Sequence, residues 1–187
     1  MKKVVVCFVY VLLTVQLVHA QGDILLIDDF EGEISGPPEG TVDFGAGGGS
    51  TIEVTAATDI KNTGAQSVKV TFDAVVGGYM WVARGFGLDA AKTDWLIKTE
   101  DIKWDEYKAI SFYMYGSDSK TQVAFDIKDS GNEMWRFIVE DNFTGWKQIL
   151  CPFDQFFARD DGQPDNADKN DTLDYPIKSY QFEPQPE

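Results

Sequence analysis

The chain has 187 residues, the size of one domain, with 16 Lys and Arg against 31 Asp and Glu and a formal net charge of −15. Binding to phosphates needs a basic patch that releases counterions, so this charge excludes nucleic acid and anionic membrane surfaces as partners. The one histidine, His19, and one of the two cysteines, Cys7, lie in the first twenty residues, and a chain without them has no Ser-His, Cys-His or zinc-histidine chemistry and no internal disulfide.

Those twenty residues read as an export signal. Lys2 and Lys3 precede an apolar run from Val4 to Leu17, and Val18-His19-Ala20 supplies small residues before Gln21. The run falls short of the roughly 20 residues of a membrane helix, and no second apolar stretch follows. Residues 1–20 are therefore expected to be a signal peptide cut after Ala20, and 21–187 a secreted domain that does not engage a membrane.

From residue 21 on, helical periodicity is scarce and short alternating runs recur between Gly, Asp, Asn and Ser. Strands are predicted near 24–30, 51–56, 66–73, 78–84, 107–115, 121–128, 132–140, 146–151 and 177–183. The intervening Gly36-Pro37-Pro38, Gly45 to Gly49, Asn62-Thr63-Gly64, Gly77-Gly78, Gly116-Ser117-Asp118 and Ser130-Gly131-Asn132 read as turns. Residues 89–105 read as an irregular excursion with one short helix, and 160–174 as a long acidic loop. The expected fold is all-β, an antiparallel two-sheet sandwich.

Strand parity separates core from surface. Ile110, Phe112 and Met114, then Val123, Phe125 and Ile127, then Trp135, Phe137 and Val139 form the inward sets. Opposite them stand Tyr113 and Tyr115, then Gln122, Asp126 and Lys128, then Met134, Arg136 and Ile138. A face carrying Tyr, Arg, Asp and Gln is either solvated surface or a polar ligand platform. Trp135 and Trp146 are assigned to the core, Trp95 and Trp104 to anchoring the excursion, and Tyr79, Tyr113 and Tyr115 to an outward face where a sugar ring could stack.

Several ordered blocks go beyond architecture: Leu26 to Gly32, Gly78-Tyr79-Met80-Trp81, Ile110 to Gly116, Glu133-Met134-Trp135, Trp146 to Ile149, Pro152-Phe153-Asp154-Gln155-Phe156 and Thr172-Leu173-Asp174. In order and spacing they resemble galactose-binding-like jelly-roll modules, most closely the family 11 carbohydrate-binding modules of β-glucanases, over roughly residues 25–183. The resemblance implies a non-catalytic jelly roll that holds a β-glucan chain on a concave sheet, structural calcium on the scaffold, and a glycoside hydrolase domain elsewhere in a longer polypeptide. It also implies that Tyr79 contacts sugar, that Arg159 and Asp161 form a polar pair, and that Glu31 with the turn at Asn62 offers calcium ligands. Gly162 stands where the family would present a further tyrosine, Met134 where it would present a polar contact. The family would continue past Glu187 into one more strand, so the domain is expected to lack its last strand. The alternative reading is a structural or adhesion sandwich that has lost the sugar site.

Catalysis finds little support. A glycosidase sets two carboxyls across a cleft, whereas the acids here cluster in loops, without a compact Glu-x-Asp-x-x-Glu strand motif. Residues 165–171 lack the alternating ligands and central Gly of an EF-hand loop. Cys151 reads as a small buried hydrophobe, and Asn142-Phe143-Thr144 and Asn170-Asp171-Thr172 are glycosylation sequons of low information.

Overall fold

Short runs rich in Val, Ile, Phe, Tyr and Thr suit a pleated, half-buried surface, and in a computed structural model that describes residues 4–14 and 24–186 they form twelve strands. These are β1 (Val4–Thr14), β2 (Ile24–Asp28), β3 (Asp43–Gly47), β4 (Thr51–Ala57), β5 (Ser67–Asp73), β6 (Tyr79–Gly85), β7 (Ala109–Ser117), β8 (Gln122–Lys128), β9 (Met134–Glu140), β10 (Thr144–Pro152), β11 (Phe157–Ala158) and β12 (Ser179–Pro184). One antiparallel sheet runs β10-β7-β1-β5-β4, with β2 also paired to β1, and the other runs β11-β9-β8-β12-β6-β3. This is the all-β, two-sheet sandwich expected. Each of the nine predicted strands is present, with ends shifted by a few residues at most.

The inward sets read from parity meet between the sheets. Phe112 lies 4.8 Å from Phe125 and 4.9 Å from Phe182 between ring centroids, and Val68, Val70, Phe72, Met80 and Val82 close around them. Burying each such side chain contributes roughly 1.5 to 3 kcal/mol before conformational entropy is subtracted. A polar tie crosses the sandwich as well. Asp28, fully buried at the end of β2, accepts from Arg84 Nε at 2.5 Å and from the Tyr180 hydroxyl at 2.7 Å. Burial pushes the Asp28 carboxyl above its ordinary range against the pull of Arg84 and Tyr180.

Three features depart from the expectations. Residues 43–47, read in part as a glycine turn, form strand β3. The excursion at 89–105 holds two single 3-10 turns, Thr99–Asp101 and Trp104–Glu106, rather than one helix, and is anchored by buried Trp95 and Trp104 as expected. The third departure concerns the leader. Its expected cleavage point after Ala20 lies outside the described residues, but Val4–Thr14 is the strand between β7 and β5, pairing Cys7 with Tyr115 and with Lys69. Cys7, Phe8, Val11 and Leu13 are buried, and Phe8 stacks on Phe182 at 3.8 Å. An unbroken apolar run meets the needs of an export signal and of a central strand equally, because both must be apolar on all sides. A cut after Ala20 takes this strand away.

Candidate functional site

Side chains two apart on a strand share a face, and the registers of the second sheet assemble one such face from six strands. Tyr79, Trp81 and Ala83 of β6 lie beside Gly45 and Gly47 of β3 on one side. On the other side lie Gln181 and Glu183 of β12, then Asp126 of β8, Arg136 of β9 and Phe157 of β11. The face has an aromatic end and a charged centre.

At the aromatic end, Tyr79 is 57% exposed, and its ring lies 6.1 Å from that of Trp81 with only 12° between their planes. The two rings can lie parallel beside β3 because Gly45 and Gly47 put no side chains in their way. A Cβ on Gly45 would come within 2.5 Å of the Trp81 ring, and one on Gly47 would run into the Tyr79 ring. Trp81 is fixed further by its Nε1, which donates to Asp43 Oδ1 at 2.9 Å, while Asp43 Oδ2 accepts the Asp89 N–H at 2.7 Å. The result is a pair of parallel rings, Tyr79 exposed and Trp81 half-buried, with hydrogen-bonding groups beside them.

The charged centre is built around Asp126, which is 0% exposed. Asp126 accepts from Arg136 Nε and Nη2 at 2.8 and 2.9 Å, from Arg159 Nη1 at 2.8 Å and from Gln181 Nε2 at 3.2 Å. Glu183 pairs with Arg136 and, at 3.3 Å, with Arg159. Asp161, on the rim, pairs with Arg159 Nε at 3.2 Å and faces Arg136 Nη1 at 3.6 Å. Hydrogen bonding to Arg159 holds the Asp161 carboxyl below its usual range against a smaller opposing effect of burial. Burial pushes the Glu183 carboxyl up despite Arg159 and Arg136, and burial of Arg136 is outweighed by Asp126, which raises the guanidinium further. Arg136 thus stays charged, and the carboxylate partners hold both arginines in place.

Arg159 reaches the face because the chain after β11 is tied to β9. The Arg159 N–H donates to the Met134 carbonyl at 3.0 Å. Gln163 accepts the Met134 N–H at 2.8 Å and donates back to the Met134 and Arg159 carbonyls at 2.9 and 3.0 Å. Met134 therefore serves the site through its backbone while its side chain is buried. Gly162 adopts φ +58, the left-handed region that favours glycine, immediately beside the Arg159 guanidinium.

Of the residues singled out from sequence, Tyr79, Asp126, Arg136, Arg159 and Asp161 come together on this face. Asp126 is a correction in role: sealed beneath the arginines, it positions them and presents no surface of its own to a ligand. Tyr113 and Tyr115 are a correction in place, since they lie on the outward face of the other sheet, where β7 pairs Tyr115 with Trp146 and Tyr113 with Gln148. Trp146, expected in the core, is half-buried there with its ring 5.4 Å from Tyr115. Parity assigned these tyrosines correctly to an outward face, but a two-layer sandwich has two of those. Trp81, quoted from sequence only as part of a motif, joins the site together with Gln181 and Glu183, and Trp81 stands two residues from Tyr79 and so on its face by period alone.

The expected calcium ligands are also near one another. Both oxygens of Glu31 accept the Ala65 N–H, at 3.1 and 2.9 Å, just past the turn at Asn62. The Phe30 and Gly32 carbonyls converge on Gln66 Nε2 at 2.7 and 2.6 Å. Among the described residues no three acidic, cysteine or histidine side chains gather as a metal site, and no helix is long and apolar enough to cross a membrane.

Comparison with known proteins adds three findings. The model of the family described as carbohydrate binding domain (family 11) matches residues 18–184. A family 11 carbohydrate-binding module from Clostridium thermocellum, solved in complex with a β-1,3-1,4-mixed-linked tetrasaccharide, is 22% identical with a TM-score of 0.64, covering 94% of this chain and 86% of that one. The family 11 module of the cellulosomal cellulase Lic26A-Cel5E of Clostridium thermocellum is 22% identical with a TM-score of 0.61, covering 84% and 82%. No curated protein matches the chain.

Proposed function

Since the chain belongs to the family 11 carbohydrate-binding domains, we propose that its concave sheet binds a β-glucan, with mixed β-1,3-1,4 linkage as the first ligand to test, and breaks no bond in it. The parallel, outward-facing rings of Tyr79 and Trp81, on the same sheet face as two buried, carboxylate-held arginines, carry this reading. Sugar rings have apolar faces that stack on the aromatic pair, and their hydroxyls take up hydrogen-bonding capacity along the Arg159, Asp161 and Gln181 edge. Asp126, Asp161 and Glu183 are each paired with arginine, which suits recognition and disfavours the separated acid and base of a glycosidase. Calorimetry with a mixed-linked glucan oligosaccharide tests the reading. Tyr79→Ala and Trp81→Ala should each weaken binding by about 1 to 3 kcal/mol, the scale of truncating an anchor. Absence of heat and of retention for the wild type with every β-glucan tried would favour a structural or adhesion sandwich, the reading that Gly162, placed where the family presents a tyrosine, supports.

Two companion proposals follow from the same membership. Calcium is proposed at Glu31. The carboxylate and the Phe30 and Gly32 carbonyls are hard oxygen donors of the kind calcium takes, and Gln66 Nε2, itself a partial positive charge, sits where the carbonyls converge. With the Asn62 turn they would pin β2 to β5. Export behind the leader, with a glycoside hydrolase domain in the same polypeptide, is proposed from the leader pattern and from the use such an enzyme has for a substrate anchor.

A further inference from the structure

The sugar face has a second apolar end. β11, two residues long, is the edge strand beside β9, and Phe157 pairs with Arg136 in register, so its side chain falls on the face that carries Tyr79 and Trp81. Phe157 is 51% exposed, and Ile138, two residues past Arg136 on β9 and therefore on the same face, is 38% exposed. A single apolar side chain on a surface needs no explanation. These two are diagonal neighbours across adjacent strands, at a sheet edge where charged residues or proline ordinarily discourage unwanted pairing.

Their place is fixed by the register. Ala83, Gln181, Asp126, Arg136 and Phe157 stand opposite one another in successive strands, in a row across the sheet. From β6, the strand of Tyr79 and Trp81, the row crosses β12, β8 and β9 to reach β11, four steps of about 4.8 Å or about 19 Å in all. The arginines and their carboxylates occupy the middle, with exposed Asp161 at the rim. A disaccharide is shorter than this row, whereas a longer β-linked chain laid across the strands reaches both apolar ends. The chain leaving β11 is tied down, because the Arg159 N–H donates to the Met134 carbonyl at 3.0 Å and Gln163 Nε2 donates to the Arg159 carbonyl at 3.0 Å. Phe157 is thereby held in position before any ligand arrives, which lowers the cost of binding.

We propose that Phe157, with Ile138 beside it, is a further sugar subsite that makes this face selective for glucan chains long enough to span the sheet. The inference rests on the reading of the face as a glucan site and adds to it a residue and a length requirement. One pyranose stacks on the Tyr79 and Trp81 rings, those that follow present hydroxyls to Arg159, Asp161 and Gln181, and the apolar face of a later one packs on the Phe157 ring. Because the sugars are covalently linked, the second apolar contact forms at a high effective concentration once the first is made, so affinity climbs with length until both ends are reached.

Calorimetry on the full chain with mixed-linked β-1,3-1,4-glucan oligosaccharides, from di- to hexasaccharide, is the test. Wild-type affinity should rise with length. Phe157→Ala should weaken hexasaccharide binding at least about fivefold, the low end for truncating an aromatic anchor, and flatten that rise, whereas Trp81→Ala should weaken binding at every length. Phe157→Tyr, which keeps the ring, should keep the wild-type profile, and Phe157→Leu, which fills the space without a ring, should lose most of the gain. A side chain half in water sets little of the stability, so the three Phe157 variants should melt with the wild type. Equal hexasaccharide affinities for wild type and Phe157→Ala, or an equal loss in Phe157→Tyr and Phe157→Ala, overturn the subsite and leave the glucan reading in place. A wild type that binds no oligosaccharide of any length overturns both.

Discussion

Replacing Asp126 by Ala should destabilise the domain more than any other single change on the sugar face. Asp126 is sealed from solvent and accepts four hydrogen bonds, three of them from the guanidinium groups of Arg136 and Arg159. Without it both arginines remain, charged and largely buried, with Glu183 shared between them and Asp161 at the rim. Breaking a buried pair by removing one partner costs about 3 to 5 kcal/mol, because the other charge is left uncompensated. The remaining contact with Glu183 places the expected loss near the lower end, about 3 kcal/mol, or a fall of about 6 to 12 °C in melting temperature for a domain of this size. The matched control is Asp161→Ala. That side chain is 62% exposed and its pairs are screened by water, so it should cost less than about 1 kcal/mol. Denaturant and thermal melts of the two variants decide the matter. Equal losses, or a loss below about 1 kcal/mol for Asp126→Ala, would refute the view that one buried carboxylate organises the cluster.

Gly45→Ala should push Trp81 off its seat, since the new methyl would stand 2.5 Å from the ring. Oligosaccharide affinity should fall about tenfold, or about 1.4 kcal/mol, and an unchanged affinity would remove Trp81 from the site. Asp141 collects the N–H groups of Ser117, Asp118 and Ser119 and the hydroxyls of both serines, so Asp141→Ala should cost about 2 to 3 kcal/mol. Burial opposes ionisation of Asp141, but the hydrogen bonds from Ser119 and Ser117 prevail and hold its carboxyl below the ordinary value. Its contribution is therefore complete above the unfolded value of about 3.9 and is lost as pH falls through the lower folded one. The stability difference between wild type and Asp141→Asn should shrink over that acid range, and a constant difference would contradict the assignment. A chain begun at Gln21 lacks β1 and with it buried Phe8, Val11 and Leu13. It should lose its cooperative melt or melt at least about 10 °C lower, given about 1.5 to 3 kcal/mol for each large side chain. Equal melting temperatures would show that β1 contributes nothing to stability.

The strand inventory and the inward faces were legible in the sequence because both depend on a local rule. Alternation over a few residues places Phe112, Phe125 and Trp135 inside wherever the strands end up. The acidic balance excluded nucleic acid, and the order of short motifs carried the resemblance that implies a sugar-binding sandwich. Which outward faces coincide was a different matter. Tyr79 and Tyr113 obey the same parity, yet one shares a sheet face with Arg136 and the other lies on the far side of the sandwich, because strand order is set by long-range pairing that no local period encodes. The glycines of β3 follow the same logic. Gly45 and Gly47 read as a turn by composition, and only their pairing with Trp81 and Tyr79 reveals that the missing side chains make room for two rings. Val4–Thr14 is the sharpest case, since one apolar run satisfies both an export signal and the centre of a sheet. Its structural role depends on whether the slot between β5 and β7 is there to receive it.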